Sequence, residues 1–166
     1  MTNRQTIERQ RSLRHLRAVL TSSFDRAQLL TLHYAPGQTV PLAVADRQYR
    51  TLMGRARSLA GGPIRYVKMT EYGQSDARIV AFRLISDVPA ETCREIADSW
   101  FMGETTVETM DARQLADVAV GLMTRPVDGR KKGRRYWGAS LGLSRRCSVG
   151  LARLKPQALA ALPVQE

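Results

Sequence analysis

Between residues 27 and 123 the apolar side chains switch repeatedly between extended and helical spacing, and the order of the switches leaves few folds open. Ala27 to Tyr34 is a leucine-rich run with Thr31 and His33 interleaved, closed by Ala35-Pro36-Gly37, which predicts a strand. Val44, Tyr49, Leu52, Met53 and Ala56 then recur at three- and four-residue steps, predicting a helix over 42–59 that Gly61-Gly62-Pro63 stops. Residues 64–70 and 77–85 read as two strands joined by a short loop holding Gly73. A short helix over 89–99, led by Pro89, comes before a strand over 101–110 that contains the alternating Thr105-Thr106-Val107-Glu108-Thr109. Asp111 stands as N-cap for a helix over 112–123, which Pro126 ends. Ahead of these, Ile7, Leu13, Leu16, Val19 and Leu20 make residues 2–23 an amphipathic helix with arginines on its other faces.

Leaving out that first helix, the order is βαββαβ, the split-βαβ arrangement of ferredoxin-like and RRM-like sheets. The expectation is therefore an α+β domain whose antiparallel sheet has helices packed on one face. The other face would be free to hold a site. An extra N-terminal helix and a basic C-terminal segment over 125–166 complete it, with a short helix over 157–162. The 166 residues suit one domain spanning 1–166, with a core over 10–145. No apolar run approaches the roughly 18 residues that cross a bilayer, and charges interrupt the first residues where a signal peptide would be apolar, so an intracellular protein with no membrane partner is expected. Cys93 and Cys147 stand alone, and His15 and His33 are the two histidines; no disulfide scaffold, zinc finger or multi-histidine site can be assembled from them.

The formal net charge of +11 divides into unlike blocks. Residues 1–24 carry +4, 25–85 carry +5, 86–117 reverse to −6 and 125–155 return to +9. Of the 26 cations 22 are arginine, whose planar guanidinium pairs with phosphate through two parallel hydrogen bonds. Arg125, Arg130, Lys131, Lys132, Arg134, Arg135, Arg145 and Arg146 surround Tyr136 and Trp137, an interleaving of cations and stacking rings that suits nucleic acid. These ten residues are the candidate binding site. If six of the cations met phosphates on a duplex, the log–log salt slope would be about −5. The acidic stretch over 86–117 is read either as solvated faces, as a flank that keeps DNA away, or as a dock for a basic partner protein.

Three segments carry a family likeness: Leu29-Leu30-Thr31-Leu32-His33-Tyr34, Arg65 to Gly73, and Arg78-Ile79-Val80-Ala81-Phe82-Arg83-Leu84-Ile85. With the Trp100 segment, the helix over 115–125 and Gly133 to Ser140, their order resembles the rolling-circle replication initiators of plasmids and phages, the HUH-type single-strand endonucleases. The resemblance implies a metal-dependent DNA nickase, and three positions depart from it. Where the family carries a His-hydrophobic-His metal pair this chain has Val80 and Phe82, neither able to hold a metal. Where the family's nucleophilic tyrosine sits on the helix after the last core strand, the stretch is Val118-Ala119-Val120-Gly121-Leu122. Glu71 matches a metal-assisting carboxylate of the family, and a single carboxylate cannot hold a divalent cation usefully.

Several routes could rebuild chemistry elsewhere. His33 could face Glu71 across the sheet with Asp76 nearby, Tyr136 lies in a basic segment, and Cys147 follows two arginines. Cys93, beside Glu91 and Glu95, reads as core, and Gly129 to Gly133 lacks the spacing and context of a phosphate-binding loop. The resulting expectation is a DNA-binding protein derived from a replication initiator of a phage, plasmid or integrated element, acting in the bacterial cytoplasm without nicking and without a cofactor. The alternatives are an inhibitor of a host defence nuclease and an active nickase with a rebuilt site.

Overall fold

The computed structural model describes residues 3–73, 78–124 and 137–140. Nine elements follow in chain order: α1 (Asn3–Ser23), β1 (Arg26–His33), α2 (Leu42–Ala60), β2 (Tyr66–Tyr72), β3 (Ile79–Ser86), α3 (Ala90–Asp98), β4 (Thr105–Asp111), α4 (Ala112–Thr124) and β5 (Trp137–Ala139). The strands form one sheet in the order β4-β1-β3-β2-β5, every pairing antiparallel. β3 thus lies between β1 and β2, the two strands that α2 connects. The α+β class with an antiparallel sheet holds.

The coverage of that sheet differs from the expectation of helices on one face. Successive residues of a strand point to opposite faces. Leu30, Leu32, Phe82 and Leu84 face α2 and α3, packing with Tyr49, Leu52, Met53, Cys93, Ile96 and Trp100. Leu29, Val67, Met69 and Ile85 point the other way, onto Leu13, Leu16, Val19 and Leu20 of α1 and Leu115, Ala116 and Ala119 of α4. The face expected to be free is therefore a second core. The physical reason is that β1 and β3 carry large apolar side chains on both of their sides, Leu30, Leu32, Phe82 and Leu84 on one and Leu29 and Ile85 on the other, so both need covering.

Local chemistry sets the element ends. Gly61 takes the left-handed conformation (φ 74°) and its N–H meets the carbonyls of Arg57 and Ser58, closing α2. Asp111 Oδ1 accepts the Gln114 N–H at 2.8 Å while Gln114 Oε1 accepts the Asp111 N–H at 3.2 Å, a reciprocal cap that starts α4 as expected. Pro89 occupies the position before α3, its extended φ of −52° and ψ of 146° leading into Ala90. At the far end of β1, residues 102–104 continue the ladder: the His33 and Ala35 N–H groups donate to the carbonyls of Glu104 and Met102, both at 2.9 Å. Trp100 Nε1–H donates to the His33 carbonyl at 2.8 Å. The expected helix over 157–162 and the break at Pro126 lie outside the described residues.

Candidate nucleic-acid interface

Strand order turns the charge blocks of the sequence into opposite edges of the molecule. α1 lies along the β5 edge on one face, where Trp137 Nε1–H donates to Ser12 Oγ at 2.9 Å and the Trp137 ring meets His15 edge-on at 5.2 Å. α2 covers β2 on the other face, where Lys68 reaches Asp46 at 3.3 Å. α1 carries Arg4, Arg9, Arg11, Arg14 and Arg17 against Glu8, and α2 carries Arg47, Arg50, Arg55 and Arg57 against Asp46. Arg47, Arg50 and Arg57 share one exposed stripe at helical spacing, and no salt bridge engages them among the described residues. The opposite edge is β4 with α3 and the start of α4 beside it, and it holds Glu91, Glu95, Asp98, Glu104, Glu108 and Asp111 against Arg94 and Arg113, while Asp117 of α4 turns to α1 and pairs with Arg17 at 2.8 Å.

Of the ten candidate binding residues, Trp137 is described. Arg125, Arg130, Lys131, Lys132, Arg134, Arg135, Tyr136, Arg145 and Arg146 lie outside the described residues, as do Asp76 and Cys147. Trp137 is half-buried in β5, pairing with Met69 of β2, so part of its ring is spent on His15 and Ser12. β5 itself was not expected: three residues, Trp-Gly-Ala, carry no alternation to read. The strand has a functional consequence, because residues 125–136 must run from the end of α4 to β5. Both attachment points lie beside α1, Met123 accepting from Arg9 Nη2 at 3.1 Å and Trp137 touching Ser12 and His15. Burial of His15 lowers its pKa and favours the neutral ring, and its Nε2 and the Arg14 Nε have no hydrogen-bond partner among the described residues.

The positions matched to the initiator family are occupied by packing and ion pairing. Phe82 is fully buried, with its ring 5.1 Å from that of Tyr49 and 6.3 Å from that of Trp100. Ala119 is fully buried and Val118 and Leu122 pack on the α1–α4 core. His33 and Glu71 do share a sheet face, each paired to Ala81, with β3 between them. The Glu71 carboxylate is taken by the Arg83 guanidinium. Among the described residues no three His, Cys, Asp or Glu side chains come together as a metal site. Cys93 is buried, and that burial pushes its thiol up to about 11.

Sequence reading missed one polar cluster. Lys68, half-buried on β2, sits over the rings of Tyr49 at 4.1 Å and Phe82 at 4.7 Å while pairing with Asp46. Burial lowers its pKa, with Asp46 working in the opposite direction and Arg50 with it. Burial likewise holds the Tyr49 phenol well above its usual range, and burial together with Asp46 pushes Tyr34 up to about 12. Tyr34 donates to Gln48 Oε1 at 2.6 Å. The alternation of Tyr66, Lys68 and Thr70 on one side of β2 was the available signal for a polar stripe under α2. No described helix is long and apolar enough to cross a membrane. Comparison with known proteins gives no matching family model, no matching curated protein and no matching solved structure.

Proposed function

We propose that this protein binds nucleic acid along its β5 edge, holding the strand without cutting it. The observation that carries the reading is the separation of charge: arginine-rich helices on both faces of one edge, acidic residues along the other, and two basic segments joined to the strand at the basic edge. A polyanion approaching such a molecule is steered to one side. The α2 stripe of Arg47, Arg50 and Arg57 supplies direct phosphate contacts, α1 adds to the positive field, and the segments leaving β5 supply further cations. DNA is the favoured polyanion, and descent from a rolling-circle replication initiator carried by a mobile element accounts for the βαββαβ order. In this reading the family's metal and tyrosine positions have become packing, as at Phe82 and Val118.

The test is binding of fluorescent single-stranded and duplex DNA across a salt series. The expected result is a steep log–log slope, and replacement of Arg47, Arg50 and Arg57 by glutamine should reduce its magnitude on duplex DNA by about 2 to 3, near 0.9 per phosphate contact. A slope near zero, or one that this triple variant leaves unchanged, would refute the proposed interface.

A further inference from the structure

α2 contains a glycine that the fold does not call for. Gly54 lies inside the helix on its exposed side, opposite the buried Ala45, Tyr49, Leu52, Met53 and Ala56. Its backbone is not left-handed, and the place where a Cβ would stand is open space among the described residues. A glycine there weakens the helix and gains nothing in packing. What the missing side chain does provide is room for something outside the protein to touch the helix backbone.

The neighbours of Gly54 describe that object. Thr51 and Ser58, one turn to either side of it, are short, and their hydroxyls turn back onto the helix, donating to the carbonyls of Arg47 at 3.1 Å and Gly54 at 3.4 Å. The long side chains stand on the flanks. Arg50 follows Asp46 by one turn and Arg57 follows Arg50 by two, so both occupy the flank where Asp46 pairs with Lys68 of β2. Arg55 follows Gln48 by two turns and occupies the other flank, where Gln48 accepts the Tyr34 hydroxyl. All three arginines are exposed, and no salt bridge engages them among the described residues. The outer face of α2 is thus a low ridge with guanidinium groups on both sides.

One polyanionic surface has the complementary profile. The major groove of B-form DNA is about 12 Å wide, an α-helix with its side chains is about 10 to 12 Å across, and phosphates line both walls of the groove. A single strand has no walls, and the major groove of A-form RNA is too deep and narrow to be read by side chains. We infer that α2 lies in the major groove of duplex DNA, with Gly54 against the groove floor, Arg50 and Arg57 on the phosphates of one wall and Arg55 on those of the other. This inference rests on the nucleic-acid reading above and names its substrate as B-form duplex. It makes Gly54 the residue that sets how deeply the helix sits.

The test uses a duplex of about 20 base pairs, roughly two turns, in three forms. These are plain DNA, DNA with a glucosylated hydroxymethyl group on every cytosine, which fills the major groove, and RNA of the same sequence. The wild type is expected to bind the glucosylated DNA and the RNA at least about tenfold more weakly than plain DNA. Gly54→Leu should lower affinity for plain DNA by about tenfold to a hundredfold, because it forces extra methylenes into a filled contact. Its urea midpoint should stay at or above that of the wild type, a combination that a purely structural glycine would not give. Equal wild-type affinity for plain and glucosylated DNA, RNA binding as tight as plain DNA, or full affinity in Gly54→Leu each overturns the groove placement alone. Binding to none of the three at low salt overturns the nucleic-acid reading and the groove placement with it.

Discussion

Gly103→Ala should cost this protein more stability than any other exchange of one hydrogen for a methyl group at a described glycine. A Cβ built at Gly103 falls 2.3 Å from the His33 carbonyl oxygen, 2.7 Å from the Tyr34 carbonyl carbon and 2.8 Å from the Ala35 nitrogen. All three are backbone atoms of the chain leaving β1, so no side chain can rotate away. Relief to ordinary contact needs a displacement of about 1 Å, which breaks or strains the His33 to Glu104, Ala35 to Met102 and Trp100 to His33 hydrogen bonds. At about 1 kcal/mol net for each bond, less up to about 1 kcal/mol from a stiffer unfolded chain, the loss is about 2 to 3 kcal/mol. Gly54, inside α2 with nothing within 4 Å of its Cβ position, is the control: Gly54→Ala should stabilise by about 0.5 to 1 kcal/mol. Urea denaturation of the three proteins, read from midpoints at constant m, measures both. A Gly103→Ala midpoint at or above that of the wild type would show that residues 102–104 do not grip the end of β1.

Two further predictions concern buried titratable groups. The depressed pKa of Lys68 means that the folded state holds its proton less tightly than the unfolded chain, so its contribution to stability rises with pH from below the folded pKa up to the ordinary 10.5. Denaturation midpoints compared at neutral pH and at about pH 9.5 should therefore rise more, or fall less, in the wild type than in Lys68→Met; parallel behaviour would remove burial as the dominant influence on this lysine. In a Cys147→Ser background, Cys93 should resist a thiol reagent at neutral pH in the native protein and react on denaturation, since its thiol is buried and pushed up to about 11. Rapid labelling of the folded protein would contradict its place on the buried face of α3.

Much of the architecture was legible because period and punctuation agree in this chain. The α2 stop at Gly61, the Asp111 cap and the alternation in Thr105 to Thr109 each have one local cause, and each lies where the sequence put it. The second core was legible in principle. Leu29-Leu30-Thr31-Leu32 and Ile79 to Ile85 are apolar on both sides of their strands, and Leu13, Leu16, Val19 and Leu20 had to pack somewhere. Reading α1 as an addition to a finished fold concealed that. Strand order is a long-range property, so nothing local could show that the arginines of α1 and α2 flank one edge while Glu104 and Glu108 lie on the other. The Lys68 cluster was hidden for a similar reason, since Asp46 and Tyr49 meet β2 through helix packing.

The three residues of β5 join the two extremes of the described chain: Trp137 stands 125 positions from Ser12 and hydrogen-bonds it. Any truncation that strips the cationic stretch over 130–146 also unzips the last rung from β2 and uncovers the side of α1. Loss of DNA affinity after such a cut would confound charge with architecture, and the cations can be assayed cleanly by neutralising them one at a time around an intact Trp-Gly-Ala rung.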